Sequence, residues 1–209
     1  SEGPAGWHLR EPSDAAVALV DAAGPDAGGT DADAVASRRC EFELPPAHGS
    51  QDYLSIEWTA DDFAEVWLDG ERVGASAEWR SVRDSRVPLF DGRHVLAVRA
   101  EDRKSVSSGF VARVGAPSPG QAPLECLQTG PESAWRVTAE PPAEGWRRVG
   151  YDDSDWSPTT AAASTCTSDW RGIVDLEQAT WVWHSDCEAG SSGWNEKNWY
   201  RLVFEAHRP

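Results

Sequence analysis

Two pairs of adjacent acids, Asp61-Asp62 and Asp152-Asp153, are the residues whose type and spacing come nearest to chemistry. Paired carboxylates can act as general acid and base, or can join loop carbonyls around a hard cation such as calcium. At strand ends they more commonly accept backbone N–H bonds and fix turns, and that reading is favoured. Asp61, Asp152 and Asp153 stay as candidate calcium ligands, although no D-x-[DN]-x-[DN]-G spacing occurs. The histidines, His8, His48, His94, His184 and His207, are scattered, and His94 lies in an apolar run where packing or bonding is expected. G-x-S-x-G, the P-loop and H-E-x-x-H are all missing. The expectation is a protein that is not an enzyme and holds no cofactor, a structural calcium excepted.

Tryptophan carries the other signal. Twelve occur in 209 residues, and the side chain either fills wide cores or presents a rigid amphipathic ring to sugars and protein partners. Trp58 and Trp67 alternate in apolar runs and are expected in the core or on a sheet face. Trp181 and Trp183 share one strand face and are expected to pack likewise. Trp79, Trp170 and Trp194 sit in polar, turn-like surroundings such as Ser168-Asp169-Trp170-Arg171-Gly172 and Ser192-Gly193-Trp194-Asn195-Glu196. With Arg80 they form the candidate ligand-binding set. Arg80, Arg83 and Arg86 make one basic cluster, read as a solvated strand edge that discourages edge pairing in preference to an anion site.

The elements that must position these residues read as strands. Leu54, Ile56 and Trp58 alternate with polar residues, and Phe63, Val66, Leu68 and Val73 follow around Asp69-Gly70. Period two on both sides of such a turn predicts paired strands. A second such unit surrounds Asp91-Gly92. Strands are expected over 40–44, 53–58, 64–68, 94–100, 109–114, 181–184 and 199–205, with almost no helix; residues 13–23 fit a short helix or a strand equally well. The fold class is an all-β antiparallel sandwich with long Trp-, Gly- and Pro-rich loops. Residues 1–36, rich in Ala, Gly, Asp and Pro, read as an atypical arm or linker. Residues 37–209 read as one sandwich, with 115–123 as a crossover loop preferred over a domain boundary.

Charge and cysteines bound the partners. Nineteen Lys and Arg against 35 Asp and Glu give a formal charge of −16, which argues against nucleic acid. No stretch nears the roughly 20 apolar residues a membrane helix needs, so no membrane insertion is expected. Cys40, Cys126, Cys166 and Cys187 have no zinc spacing. Two disulfides fit an oxidising compartment, with Cys166–Cys187 and Cys40–Cys126 favoured among three pairings and free buried cysteines as the alternative. A start at Ser1 and the absence of methionine fit a processed, secreted or cell-surface product.

Several segments resemble the galactose-binding-like jelly rolls appended to extracellular glycosidases and surface proteins. They are Thr59-Ala60-Asp61-Asp62, Val66-Trp67-Leu68-Asp69-Gly70, Val73-Gly74, Trp79 and Gly92-Arg93-His94-Val95-Leu96-Ala97-Val98. Downstream come Trp135-Arg136-Val137, Gly145-Trp146 and Tyr151-Asp152-Asp153-Ser154-Asp155-Trp156. The resemblance implies a jelly-roll sandwich, a structural calcium ion in many cases, and Trp135, Trp146 and Trp156 holding long loops against the sheets. A strand like Cys40-Glu41-Phe42-Glu43 recurs at Leu202-Val203-Phe204-Glu205, either completing the sandwich or marking a repeat boundary. The expected function is a secreted, non-catalytic module that binds carbohydrate or extracellular matrix. The alternative is a structural subunit that assembles with copies of itself or other chains in a surface layer, filament or appendage.

Overall fold

The computed structural model describes residues 40–43, 53–103, 107–115, 125–162, 176, 179–184 and 196–207. Among these residues ten strands run β1 (Cys40–Glu43), β2 (Tyr53–Asp61), β3 (Phe63–Leu68), β4 (Glu71–Ser76), β5 (Arg83–Pro88), β6 (Gly92–Glu101), β7 (Gly109–Gly115), β8 (Trp135–Thr138), β9 (Ser157–Pro158) and β10 (Lys197–His207). One 3₁₀ turn, Glu125–Leu127, is the helical element among the described residues. The fold is all-β, as expected. The proposed arm over 1–36, the helix-or-strand segment 13–23 and most of the connector 115–123 lie outside the described residues.

A seven-stranded sheet in the order β4-β3-β6-β10-β8-β9, with β1 also beside β10, faces a three-stranded sheet β5-β2-β7. Pairing is antiparallel throughout except for β1, which runs parallel to the end of β10 with Cys40 opposite Phe204. β10 is the organising strand: β6 covers one edge along ten residues, while β8 takes 199–202 of the other edge and β1 takes 204–207. Strands that precede and follow the connector at 115–123 therefore share a sheet.

The period-two pattern explains the core. Leu54, Ile56, Trp58 and Ala60 on β2 and Phe110, Ala112 and Val114 on β7 point inward. They meet Val66, Leu68, Leu96, Val98, Trp135, Val137, Tyr200, Leu202 and Phe204 from the large sheet. β6 is buried on both faces from His94 to Val98, because the outer side of the large sheet is covered too. There the segment 139–156 folds back so that Trp146 and Trp156 pack with Trp67, Ala97 and Trp199 in a second apolar cluster. The expected loop-holding role of Trp146 and Trp156 is found here, whereas Trp135 sits in the main core.

Asp69 and Gly70 both have positive φ, 52° and 91°, the geometry of a two-residue I′ hairpin that a left-handed pair supplies. The second Asp-Gly differs from expectation. β5 and β6 flank Asp91-Gly92 yet lie in different sheets, so the turn carries the chain across the sandwich with Leu89 buried as it crosses. Residues 181–184 are also shorter in structure than expected. Val182 makes single bridges to Phe110 and Ala161 and then leaves, with Trp183 in the core and Trp181 half-buried.

Exposed strand edges are blunted in two ways. β5, an outer strand of its sheet, carries exposed Arg83, Arg86 and Pro88, and the third member of the basic cluster, Arg80, lies on the turn before it. Along β7 the Gln128 side chain stands in for a neighbouring peptide, accepting from Val114 N at 3.1 Å and donating to Val114 O at 2.8 Å. Thr129 continues the mimicry on Ala112.

Candidate ligand-binding site

The strand register collects several connections at one end of the sandwich: β2 to β3 at Asp61-Asp62, β4 to β5 through 77–82, β6 to β7, and the start of β10. Here lies the described part of the candidate set. Ser81 N donates to Glu78 O at 3.3 Å, which closes a four-residue turn with Trp79 and Arg80 at its corners. Thr59, fully buried on the outer side of β2, points its hydroxyl at the carbonyls of Glu78 and Trp79, 3.3 and 3.2 Å away. Ser76 Oγ adds a longer contact to the Glu78 backbone. The Glu78 carboxylate accepts from Arg80 N at 3.1 Å, as a short acidic side chain does within a turn. The corner is thereby fixed to two strands while its side chains remain in reach of solvent.

Trp79 is half-buried and Arg80 exposed. The Arg80 guanidinium carbon stands 4.5 Å from the indole centroid, a cation–π stack. Arg103, at the same end, stacks at 3.9 Å over Phe63. That second cation–aromatic pair carried no sequence signal, because Phe63 reads as an ordinary strand residue and Arg103 as a loop charge. Two exposed aromatics, Tyr53 and Phe90 (61% exposed), belong to the opposite end. Trp170 and Trp194 lie outside the described residues, so Trp79 and Arg80 are the members of the set that the structure brings together.

The paired acids do not converge. Asp61 and Asp62 are buried at the β2–β3 connection, and Asp62 Oδ2 accepts from Arg103 N at 3.0 Å. Asp152 and Asp153 sit on the segment that covers the outer face of the large sheet. Asp152 Oδ1 accepts from Ser154 N at 3.1 Å, and bonds from Ser154 hold its carboxyl below the ordinary carboxylate range. Asp153 binds Arg201 Nη1 at 2.5 Å. Turn-fixing and ion pairing thus account for Asp62, Asp152 and Asp153. Among the described residues no group of three or more His, Cys, Asp or Glu side chains is placed to hold a metal ion.

The remaining candidates resolve in the same way. His94 bridges Asp69 and the Phe90 carbonyl, while His184 and His207 are exposed; His8 and His48 lie outside the described residues. Cys40 and Cys126 are joined, with Cα atoms 5.7 Å apart. Cys166 and Cys187 lie outside the described residues.

Comparison with known proteins adds one relationship. Over 130 residues the chain is 25% identical to an alpha-L-rhamnosidase of Streptomyces avermitilis, a match covering 58% of this chain and 12% of that enzyme. The chain is therefore similar to a segment about an eighth of that protein's length. No family model and no solved structure matches it.

Proposed function

We propose that this chain is a non-catalytic module that binds carbohydrate, or another component of an extracellular matrix, through loops at one end of its sandwich. A secreted or cell-surface setting goes with that reading, supported by the Cys40–Cys126 disulfide. The observation that carries it is the Trp79-Arg80 corner. A large ring and a guanidinium are held at the surface by buried Thr59, and a preorganised aromatic surface with few polar groups is what sugar recognition asks of a protein. The similarity to part of a glycosidase points to the same class of ligand. Catalysis is disfavoured because Asp62, Asp152 and Asp153 are engaged in turns and an ion pair, in separate parts of the fold.

A glycan array probed with the wild-type chain and with Trp79→Ala tests this reading. The variant should stay folded, its melting temperature within a few degrees of wild type, and lose glycan binding. A folded variant that keeps full binding removes Trp79 from the site and directs attention to Phe90. A wild-type chain that ignores every glycan but sediments as concentration-dependent assemblies overturns the reading in favour of a structural subunit, with Trp79 as an interface anchor.

A further inference from the structure

Resting on that reading, we propose that the Trp79-Arg80 corner takes an anionic sugar, a glycan bearing carboxylate or sulfate groups, and that Arg80 is the residue that selects it. The Arg80 guanidinium lies over the Trp79 ring at 4.5 Å. It adds a cationic group to the aromatic surface that the ring presents. The pair also offers the edge of a planar guanidinium, whose N–H donors lie in its plane. That edge matches a carboxylate or sulfate with two parallel hydrogen bonds.

Two further observations favour an anion. The Glu78 carboxylate, two residues away, accepts from the Arg80 backbone N–H. Arg80 and Arg83, three residues apart on the same loop and strand start, make no ion pair with any described residue, unlike Arg72, Arg99, Arg103, Arg113 and Arg201. The overall charge of −16 does not forbid this, because screening over about 8 Å at physiological ionic strength leaves a bound anion responding chiefly to its near neighbours. The distant charge would lower the affinity for long polyanions and favour short or sparsely charged ones.

The test compares oligogalacturonate with its methyl ester, and sulfated with unsulfated dextran oligosaccharides, by calorimetry on the whole chain. Each pair differs in charge and shares its sugar. Wild type should bind at least one anionic member about tenfold or more tightly than its neutral counterpart, as expected for hydrogen bonds to a charged group. The carboxylate and sulfate arms tell which anion is preferred. Arg80→Gln should abolish the preference and Arg80→Lys restore part of it, both melting as wild type does because the side chain is exposed. Equal binding of charged and neutral members, or a preference that survives Arg80→Gln, overturns the anionic assignment and leaves carbohydrate binding standing. Binding of no glycan of either kind overturns both.

Discussion

Arg201 reaches from the middle strand of the large sheet to Asp153, 48 residues earlier, and places its Nη1 2.5 Å from the carboxylate. Its side chain is fully buried, whereas that of Asp153 is 20% exposed. The same guanidinium donates to the carbonyls of Tyr151 and Arg148 at 3.2 and 3.0 Å and lies against the rings of Tyr151 and Trp156. Burial pulls its pKa below the ordinary arginine value and the attraction of Asp153 opposes that shift, so the cation persists. One charge thus fastens the segment that roofs the second tryptophan cluster.

Removing the carboxylate should therefore hurt more than its exposure suggests. Asp153→Ala leaves a buried arginine without its counter-ion and is expected to cost about 3 kcal/mol. Arg201→Met frees Asp153 to turn to water but leaves the carbonyls of Tyr151 and Arg148 without their donor, so a cost of similar size is expected. The double variant should be less destabilised than the sum of the two. Urea unfolding of all four proteins checks the cycle, and strict additivity would deny the coupling.

His94 makes stability fall as the solution becomes alkaline. Nδ1 meets Asp69 Oδ2 at 2.7 Å and Nε2 meets the Phe90 carbonyl at 2.8 Å, and two acceptors are satisfied together only by the doubly protonated ring. The bond to Asp69 is the largest cause of a pKa raised above 6.5, partly offset by burial. A raised folded-state value means the contribution is complete below 6.5 and vanishes as pH climbs through the folded-state pKa. Wild type should lose melting temperature across that window, and His94→Gln should show a flatter profile. Identical profiles would contradict the charged ring.

Gly74 tests the packing of the hairpin on the core. A Cβ there would stand 3.2 Å from Trp58 Cη2 and 3.3 Å from Cζ2, and Trp58 is 1% exposed with no room to retreat. Gly74→Ala should destabilise by about 1–2 kcal/mol through overpacking, read as a lower urea midpoint at unchanged slope. A neutral or stabilising result would mean that the edge strand yields easily.

Reduction should weaken the fold strongly. Cys40–Cys126 spans 86 positions, and chain-entropy reasoning gives about 4–5 kcal/mol for a loop of that size. Mild reductant should lower the melting temperature by well over ten degrees. Thiol counting on the unfolded, unreduced chain should find none free; two would show that Cys166 and Cys187 remain apart.

Strand content was legible because inward positions on β2, β3, β7 and β10 obey a strict period of two, and the Asp69-Gly70 hairpin announced its own geometry. The second layer was legible only through the family resemblance, which placed Trp146 and Trp156 against the sheets, and not from periodicity. Trp146 and Trp156 sit in an aperiodic segment whose burial depends on Arg201, and an arginine at an outward strand position ordinarily signals solvent. His94 to Val98 likewise gave no hint that both faces of β6 are covered. Residues 181–184 looked like a strand because Trp, Val and Trp favour one, yet isolated bridges from Val182 to Phe110 and Ala161 suffice where the chain merely passes the edge of β7. At the candidate site, the turn-like surroundings marked Trp79 and Arg80. Their stacking and the Thr59 anchor, 20 residues away, are long-range facts.

The placement of β10 sets a timetable. As the chain emerges from the ribosome, β6 must wait about a hundred residues for its main partner, and β1 about 160 for its parallel one. Until then the large sheet is split down its centre, with hydrophobic inner faces and unpaired edges available to strangers. Such delayed, non-local pairing makes for slow folding. It also makes the final strand a gatekeeper: nascent chains stalled before Lys197 should be found with chaperones or in aggregates, never as a smaller version of the sandwich.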